Sequence, residues 1–261
     1  MKRIISFALA LSFILAAMGG VAGAENYETL QVGSYGSAVK ELQKRLIELK
    51  YLSGSGADGS YGQETEKAVM KFQKASGLPE TGVADVATQK QLFDKTAVSG
   101  PDFTFSTTDR DGKIWDESTF SDYKLIMINF WEPWCGPCVR EMPDLEKLYE
   151  QYKEDGFLIL GVYSSTDRES DVKSILKDAG ITYPILKYTG NFKIFESGYV
   201  PTTVFVDGQG HVLYPEMTVK ERADAADEIA KLGSKAYSQY GALYIGSDSF
   251  NGWKSIIGKL L

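Results

Sequence analysis

The stretch Trp134-Cys135-Gly136-Pro137-Cys138 dominates the sequence, because it holds both cysteines of the 261-residue chain. An apolar run precedes it at 124–131 (KLIMINFW) and is typical of a strand buried on both faces. A helix is expected from about Cys135, where unpaired N–H groups and the helix dipole stabilise a thiolate. We therefore predict that Cys135 is a nucleophile and that Cys138, one helical turn further on, resolves the mixed disulfide.

Three other uses of a cysteine pair fit this sequence less well. A zinc site needs two further ligands, and His211 is the one histidine in the chain. Covalent haem attachment needs a histidine directly after the second cysteine, where Val139 stands. A purely structural disulfide across so short a loop would constrain the unfolded chain little. The sequence thus predicts a redox-active pair that uses no metal and no cofactor.

The charge balance argues against nucleic acid as a partner. The chain has 28 lysines and arginines against 35 aspartates and glutamates, which gives a net charge of −7. Binding to phosphates requires a basic surface instead.

The N-terminus has the pattern of a secretory signal peptide. Lys2 and Arg3 precede an apolar run over 4–18, and Ala22-Gly23-Ala24 supplies the small residues of a cleavage site. The apolar run is short for an uncleaved membrane anchor. The pattern predicts a signal peptide over 1–24 and export of the remaining chain to an extracellular or periplasmic location.

From residue 102 onward, apolar runs of strand length alternate with helical patterns. Further strands are predicted at 157–163, 202–206 and 211–214, and helices at 171–179, 219–232 and 248–260. The last two strands are expected to form a hairpin, and the helix at 219–232 lies in an insertion over 218–240 to which no role is assigned. This order predicts an α/β fold with a central mixed sheet and helices on both faces.

The region before residue 96 has helical periodicity. Apolar residues recur at three- and four-residue steps in three segments, separated by glycine-rich turns. Two turns resemble each other, Gly33-Ser34-Tyr35-Gly36 and Gly59-Ser60-Tyr61-Gly62. We expect a small all-α three-helix domain over 26–95, a linker over 96–101 and a second domain over 102–261. The linker has no apolar residue larger than Val98 and therefore promises little fixed docking.

Three motifs accompany the cysteine pair, namely Pro101-Asp102-Phe103, Glu141-Met142-Pro143 and the stretch 200–207 (VPTTVFVD). Together with the stretch 130–138 (FWEPWCGPC), they resemble the exported TlpA/ResA-like thiol-disulfide oxidoreductases of the thioredoxin-like redoxin family. The resemblance covers most of residues 100–261. It implies a thioredoxin-like fold and disulfide exchange.

The resemblance also implies which residues meet the substrate. Pro201 would be a cis-proline facing the dithiol, and the backbone of Val200 would pair with the substrate peptide. Trp134 would flank the site, and Gly136 and Pro137 would complete the substrate-binding surface.

An acidic residue beyond the second cysteine is a further implied component. Glu141 matches the acidic residue that such proteins carry there, and it could shuttle protons during exchange. Asn129 stands where thioredoxin itself has a buried aspartate. That difference removes thioredoxin's proton acceptor, favours the TlpA/ResA-like branch and draws attention to Glu141. The alternative for Glu141 is a solvated charge on the first turns of the helix.

The helical region carries motifs of its own, at 36–43 (GSAVKELQ), 58–62 (DGSYG) and 72–73 (FQ). Over about 28–93 it resembles the small peptidoglycan-binding domains of bacterial wall enzymes, which implies peptidoglycan as a partner. Apolar helix positions belong to the core, so glycan contacts are expected from turn residues such as Tyr61. The alternative is a helical spacer without a ligand.

These expectations combine into one hypothesis with one alternative. The protein would be a cell-wall-associated thiol-disulfide oxidoreductase that acts on exported proteins with thiols or disulfides and exchanges electrons with an unidentified donor or acceptor. The alternative is a non-enzymatic wall-binding protein with a structural or redox-sensing disulfide. A peptidoglycan hydrolase is disfavoured, because His211 alone cannot support an amidase zinc site. The direction of exchange stays open. Gly136-Pro137 between the cysteines is one determinant of the reduction potential, but neighbouring groups and the helix dipole also affect it.

Overall fold

The computed structural model describes residues 27–232 and 235–261, which form a helical unit followed by an α/β unit. The predicted signal peptide over 1–24 lies outside the described residues. Within the described ranges, none of the helices combines the length and hydropathy that a bilayer crossing requires.

The helical unit consists of α1 (Ser37–Glu48), α2 (Gln63–Ala75) and α3 (Val86–Leu92). Its core is a single apolar cluster, to which all three helices contribute: Leu30, Val39, Leu42, Leu46, Leu49, Tyr61, Ala68, Val69, Phe72, Ala84 and Leu92. The predicted all-α three-helix architecture is confirmed.

Two buried glutamines connect the helices of this unit to its turns. Gln43 of α1 donates to Asp58 Oδ1 at 2.9 Å and accepts from the backbone N–H of Gly59 at 2.7 Å. Gln73 of α2 accepts from the N–H of Gly82 at 2.9 Å. Turn amides that lose contact with water need such partners. Gln73 supplies one to the buried N–H of Gly82, and Gln43 supplies one to the half-buried N–H of Gly59.

The α/β unit begins with a hairpin of β1 (Ser106–Thr108) and β2 (Ile114–Asp116). Its main sheet contains β3 (Leu125–Phe130), β4 (Phe157–Tyr163), β5 (Ile185–Lys187), β6 (Thr202–Asp207) and β7 (Leu243–Ile245). The strand order is β5-β4-β3-β6-β7. The pairs β3–β4 and β4–β5 are parallel, whereas β3–β6 and β6–β7 are antiparallel, so the sheet is mixed as predicted.

In the part of the chain that the structure describes, the helices beside the sheet are α4 (Gly136–Tyr152), α5 (Glu169–Ala179), α6 (Val219–Leu232), α7 (Lys235–Gln239) and α8 (Phe250–Leu260). Alternate residues of β3 point to opposite faces. Met127 packs in a cluster with Met142 of α4 and Trp253 of α8. Ile128 belongs to a second cluster that includes Tyr237 of α7. Helices therefore cover both faces, and the predicted thioredoxin-like α/β class is confirmed.

The predicted hairpin after β6 forms in part. Residues 211–214 turn back onto β6 through one bridge, between Val206 and Val212, and through a hydrogen bond from the Leu213 N–H to Phe205 O at 2.8 Å. The strand that pairs with residues 202–204 at this edge of β6 is β7, which follows the insertion over 218–240. The insertion carries α6 over 219–232, as predicted, and continues into α7.

The segment between the two units is hydrogen-bonded to both. The Gly100 N–H donates to Leu49 O at 2.6 Å, and a side chain at Gly100 would come within 3.0 Å of the Lys50 carbonyl oxygen. Asp102 pairs with Lys50 Nζ through Oδ1 at 2.5 Å, while its Oδ2 accepts from the Val212 N–H at 2.7 Å. The expectation of little fixed docking is wrong, because these short polar contacts join the two units. The predicted domain boundaries themselves stay predictions.

Candidate active site

The two cysteines lie where β3 leads into α4. Cys135 is the N-cap residue of α4, and Cys138 lies in its first turn. The two are joined by a disulfide, and Cys135 Sγ accepts a hydrogen bond from the Cys138 backbone N–H at 3.2 Å. The Cys135 residue is 5% exposed and Cys138 is 1% exposed. Oriented N–H groups at a helix start favour negative charge, so this position suits a thiolate.

The residues before β6 lie directly against this pair. The Val200–Pro201 peptide bond is cis, which is the geometry that the family resemblance implied for Pro201. The Val200 carbonyl oxygen lies 3.5 Å from Cys135 Sγ. Pro201, Val200 and Cys135 are thus brought together although 65 residues separate the last two.

Glu141 lies one turn beyond Cys138 on α4 and is 4% exposed. Its carboxylate accepts hydrogen bonds from Asn129 Nδ2 and from the Asp248 backbone N–H, both at 3.3 Å. Burial raises the pKa of Glu141 to about 7, although the hydrogen bond from Asn129 lowers it in part. Asn129 is held in turn by Thr203 Oγ1 at 3.0 Å. A carboxyl group with this pKa can accept and release a proton near neutral pH.

A cleft of about 580 Å³ opens beside the cysteines. Its rims carry two exposed aromatic side chains, Trp134 at 59% and Tyr199 at 71% exposure. Phe192 and Phe195 lie deeper in its wall, and Val200 forms the side next to Cys135. Gly136 and Pro137 are exposed at the start of α4. The cleft thus offers a largely apolar surface that reaches Cys135 through Val200.

Two side chains of this region were missed in the sequence analysis. Tyr199 precedes the expected motif by one residue, and Glu132 carries a buried carboxylate three residues before Cys135. The one available signal for Glu132 was an acidic residue between aromatic and proline neighbours in an otherwise apolar stretch.

The assignment of Tyr61 as a glycan contact is wrong. Its ring is 1% exposed and belongs to the core of the helical unit, and its hydroxyl donates to Gly82 O at 2.8 Å. Tyr35, in the corresponding turn, is 87% exposed. The two turns are paired through an isolated bridge between Tyr35 and Ser60, so the exposed aromatic ring of this surface belongs to Tyr35.

Comparison with known proteins agrees with this geometry. The family model of a peptidoglycan binding domain matches residues 35–92, and that of the AhpC/TSA family matches residues 96–214. The thiol-disulfide oxidoreductase ResA of Geobacillus kaustophilus (strain HTA426) is 37% identical over 127 residues, which cover 46% of this chain and 70% of that protein. The chain belongs to the ResA family of thiol-disulfide oxidoreductases.

Other similar proteins include ResA of Geobacillus thermodenitrificans (strain NG80-2), which is 35% identical over 127 residues, 46% of this chain and 70% of that protein. Among solved structures, StoA from Bacillus subtilis has a TM-score of 0.41 and 16% identity, over 59% of this chain and 96% of StoA. Cys135 and Cys138 are the two cysteines of the 261-residue sequence, and they form one disulfide. Membership of the family favours the enzyme over the non-enzymatic alternative.

Proposed function

We propose that this ResA-family enzyme works outside the cytoplasm, held at the cell wall by its peptidoglycan-binding domain, with Cys135 as nucleophile and Cys138 as resolving cysteine. The placement of the two sulfurs carries the assignment of their roles. Cys135 caps α4 beside Val200 and the cleft, whereas Cys138 lies inside the first turn and is less exposed.

Exchange proceeds in two displacement steps. In the reduced enzyme, the Cys135 thiolate attacks one sulfur of a substrate disulfide, so that a mixed disulfide forms and one substrate thiolate leaves and takes up a proton. The Cys138 thiol then loses its proton and attacks Cys135 Sγ, and the second substrate sulfur leaves as a thiolate. The enzyme dithiol is oxidised and the substrate disulfide is reduced. An external dithiol donor restores the enzyme, and an acceptor disulfide would drive the same steps in reverse.

Glu141 is the proposed proton acceptor for Cys138. It lies one turn further along α4, on the same side of the helix, and its pKa of about 7 matches the working pH of such a step. Its hydrogen bonds from Asn129 and the Asp248 N–H keep the carboxylate in place.

The proposed substrate surface is the rim of the cleft. Trp134, Gly136 and Pro137 are exposed on one side of Cys135, and Val200 and Pro201 form the other. An extended substrate segment that brings its sulfur to Cys135 passes over these residues. Exported proteins with thiols or disulfides are the expected substrates.

A trapping experiment with the full-length protein tests the roles of the cysteines. Reduced Cys138→Ser should accumulate a mixed disulfide with insulin, used here as a protein disulfide, because the second displacement is removed. Cys135→Ser should accumulate none and should lose exchange activity. Trapping by Cys135→Ser instead would reverse the assignment.

Sedimentation of the full-length protein with purified peptidoglycan tests the anchoring role. We expect co-sedimentation, and we expect Tyr35→Ala to weaken it by about threefold, since one aromatic contact contributes on the order of 0.5–1.5 kcal/mol. Tyr199→Ala is the matched control, because it removes another largely exposed tyrosine ring, this one from the α/β unit. Absence of wild-type co-sedimentation would contradict anchoring to the wall.

A further inference from the structure

We propose that Glu132 is a positioning residue for the exchange reaction: its buried carboxylate fixes the loop at 164–165 so that Trp134 stands as a rigid wall beside Cys135 for protein substrates. This rests on the proposed function, since it requires substrates to reach Cys135 past Trp134.

The carboxylate of Glu132 is held by three donors from one loop. Oε1 accepts from the Ser164 backbone N–H at 2.8 Å and from the Ser164 hydroxyl. Oε2 accepts from the Ser165 backbone N–H at 3.1 Å. The backbone carbonyl of Glu132 also accepts from the Cys135 N–H at 3.0 Å. One residue therefore joins the loop after β4 to the turn that carries the nucleophile.

The sheet topology explains why a carboxylate is placed there. Because β3 and β4 are parallel, their carboxyl ends meet at the same edge of the sheet. Glu132 follows the end of β3 and Ser164 follows the end of β4. A carboxylate that is 6% exposed is costly unless its oxygens are hydrogen-bonded. An apolar side chain at 132 would leave the N–H groups of Ser164 and Ser165 without the acceptor they have here.

The loop passes this constraint on to Trp134. Ser165 Oγ accepts a hydrogen bond from Trp134 Nε1–H at 3.3 Å, which ties the outer edge of the indole to the loop. Trp134 is 59% exposed and lines the same cleft as Val200, whose carbonyl oxygen lies next to Cys135 Sγ. The connection thus runs from a buried anchor, through Ser165, to an exposed side chain at the site.

Holding Trp134 in one rotamer should affect the binding of a protein substrate more than the rate of the exchange step. A free indole populates several rotamers and must be ordered when a partner packs against it. Loss of the anchor should therefore raise the half-saturating concentration of a protein substrate by about three- to tenfold, the cost of ordering one side chain. A small disulfide without side chains to pack on Trp134 should not respond.

The test is the single-turnover oxidation of reduced full-length protein, quenched by alkylation, with insulin and with bis(2-hydroxyethyl) disulfide. For Glu132→Ala we expect the insulin half-saturation to rise three- to tenfold at unchanged maximal rate, with the small disulfide unaffected. Glu154→Ala is the matched control, because Glu154 is an exposed glutamate in the turn between α4 and β4. It should change the half-saturating concentration of neither disulfide.

Two further variants separate positioning from a loss of folding. Ser165→Ala removes only the acceptor of Trp134 and leaves both loop amides bonded to Glu132, so it should raise the insulin half-saturation at least as much as Glu132→Ala does, without the loss of the buried anchor. In a Trp134→Ala background, Glu132→Ala should add nothing. Additive effects of these two substitutions would overturn the proposal.

The possible failures can be told apart. If wild-type protein reacts with both disulfides and Glu132→Ala slows both equally, the positioning role is wrong and the proposed function stands. If wild-type protein reacts with neither disulfide, the proposed function is wrong, and the positioning role fails with it.

Discussion

Two buried carboxylates flank the cysteine pair, and they are held in different ways. Glu132 lies three residues before Cys135 and is 6% exposed, and Glu141 lies three residues after Cys138 and is 4% exposed. Glu132 accepts from two amides of one loop at 2.8 and 3.1 Å and from a hydroxyl. Glu141 accepts from Asn129 and from the Asp248 N–H at 3.3 Å.

The difference teaches that burial alone does not decide what a carboxylate does. At Glu141 the loss of solvent outweighs the two long hydrogen bonds, and the pKa is raised to about 7. That group can exchange a proton beside Cys138. At Glu132 the two carboxylate oxygens accept hydrogen bonds from the backbone amides of Ser164 and Ser165. That group supports structure around Trp134.

The largest expected effect concerns stability at Glu141. The pKa of Glu141 is raised from 4.5 to about 7 in the folded chain. Its contribution to the free energy of unfolding is therefore fully present below pH 4.5 and is lost as the pH rises through about 7. The free energy of unfolding falls by about 3 kcal/mol over this range. Glu141→Gln escapes this loss, so its stability relative to wild type should rise by about 3 kcal/mol between pH 4 and pH 8. Urea unfolding at both pH values measures it, and an unchanged difference would refute the raised pKa.

Substitution of the other carboxylate, Glu132, should lower the stability of the folded protein. Glu132→Ala leaves the amides of Ser164 and Ser165 without their acceptor, which should lower the free energy of unfolding at pH 7 by about 2 kcal/mol. Glu154→Ala, on the surface, should change it by less than about 0.5 kcal/mol. Thermal or urea unfolding of the three proteins compares them directly. Equal stability of Glu132→Ala and wild type would mean that the loop amides are satisfied by water.

The smallest expected effect sharpens the role of Asn129. Its hydrogen bond lowers the pKa of Glu141, so Asn129→Leu should raise the pH midpoint of exchange by about half a pH unit. Thr203→Val is the control, since it removes the other acceptor of Asn129 without touching Glu141. The pH dependence of the single-turnover rate measures both variants. An equal change in the control would assign the effect to packing.

Long periodic elements of the fold could be predicted from the sequence. The apolar runs of β3 and β4 and the helix at 219–232 lie where their patterns place them. Burial on both faces of a strand leaves a continuous apolar run, and burial on one face of a helix leaves a three- and four-residue period. Strands of three residues, such as β5 and β7, are too short for a period. The pairing of β7 with β6 across an insertion depends on the whole sheet.

The candidate site is likewise divided between residues that the sequence predicts and residues that only the fold reveals. The spacing of the cysteines and the run before them placed the dithiol at a strand-to-helix junction, and the resemblance added Pro201 and Glu141. Tyr61 was assigned wrongly, because Tyr35 and Tyr61 occupy turns of nearly the same sequence. Only the packing of the three helices decides which ring is buried.

By itself, the sequence determined the dithiol, the two fold classes and the family, since these depend on local spacing and on periodic burial. The tertiary structure decided the rest of the site. The burial of Glu132 and Glu141, the contact of Val200 with Cys135 and the docking of 96–102 against both units all join residues distant in the chain. Such contacts form only when β3, β4, β6 and α8 are packed together. Burial from water and the hydrogen-bond partners of a side chain both depend on this assembled structure.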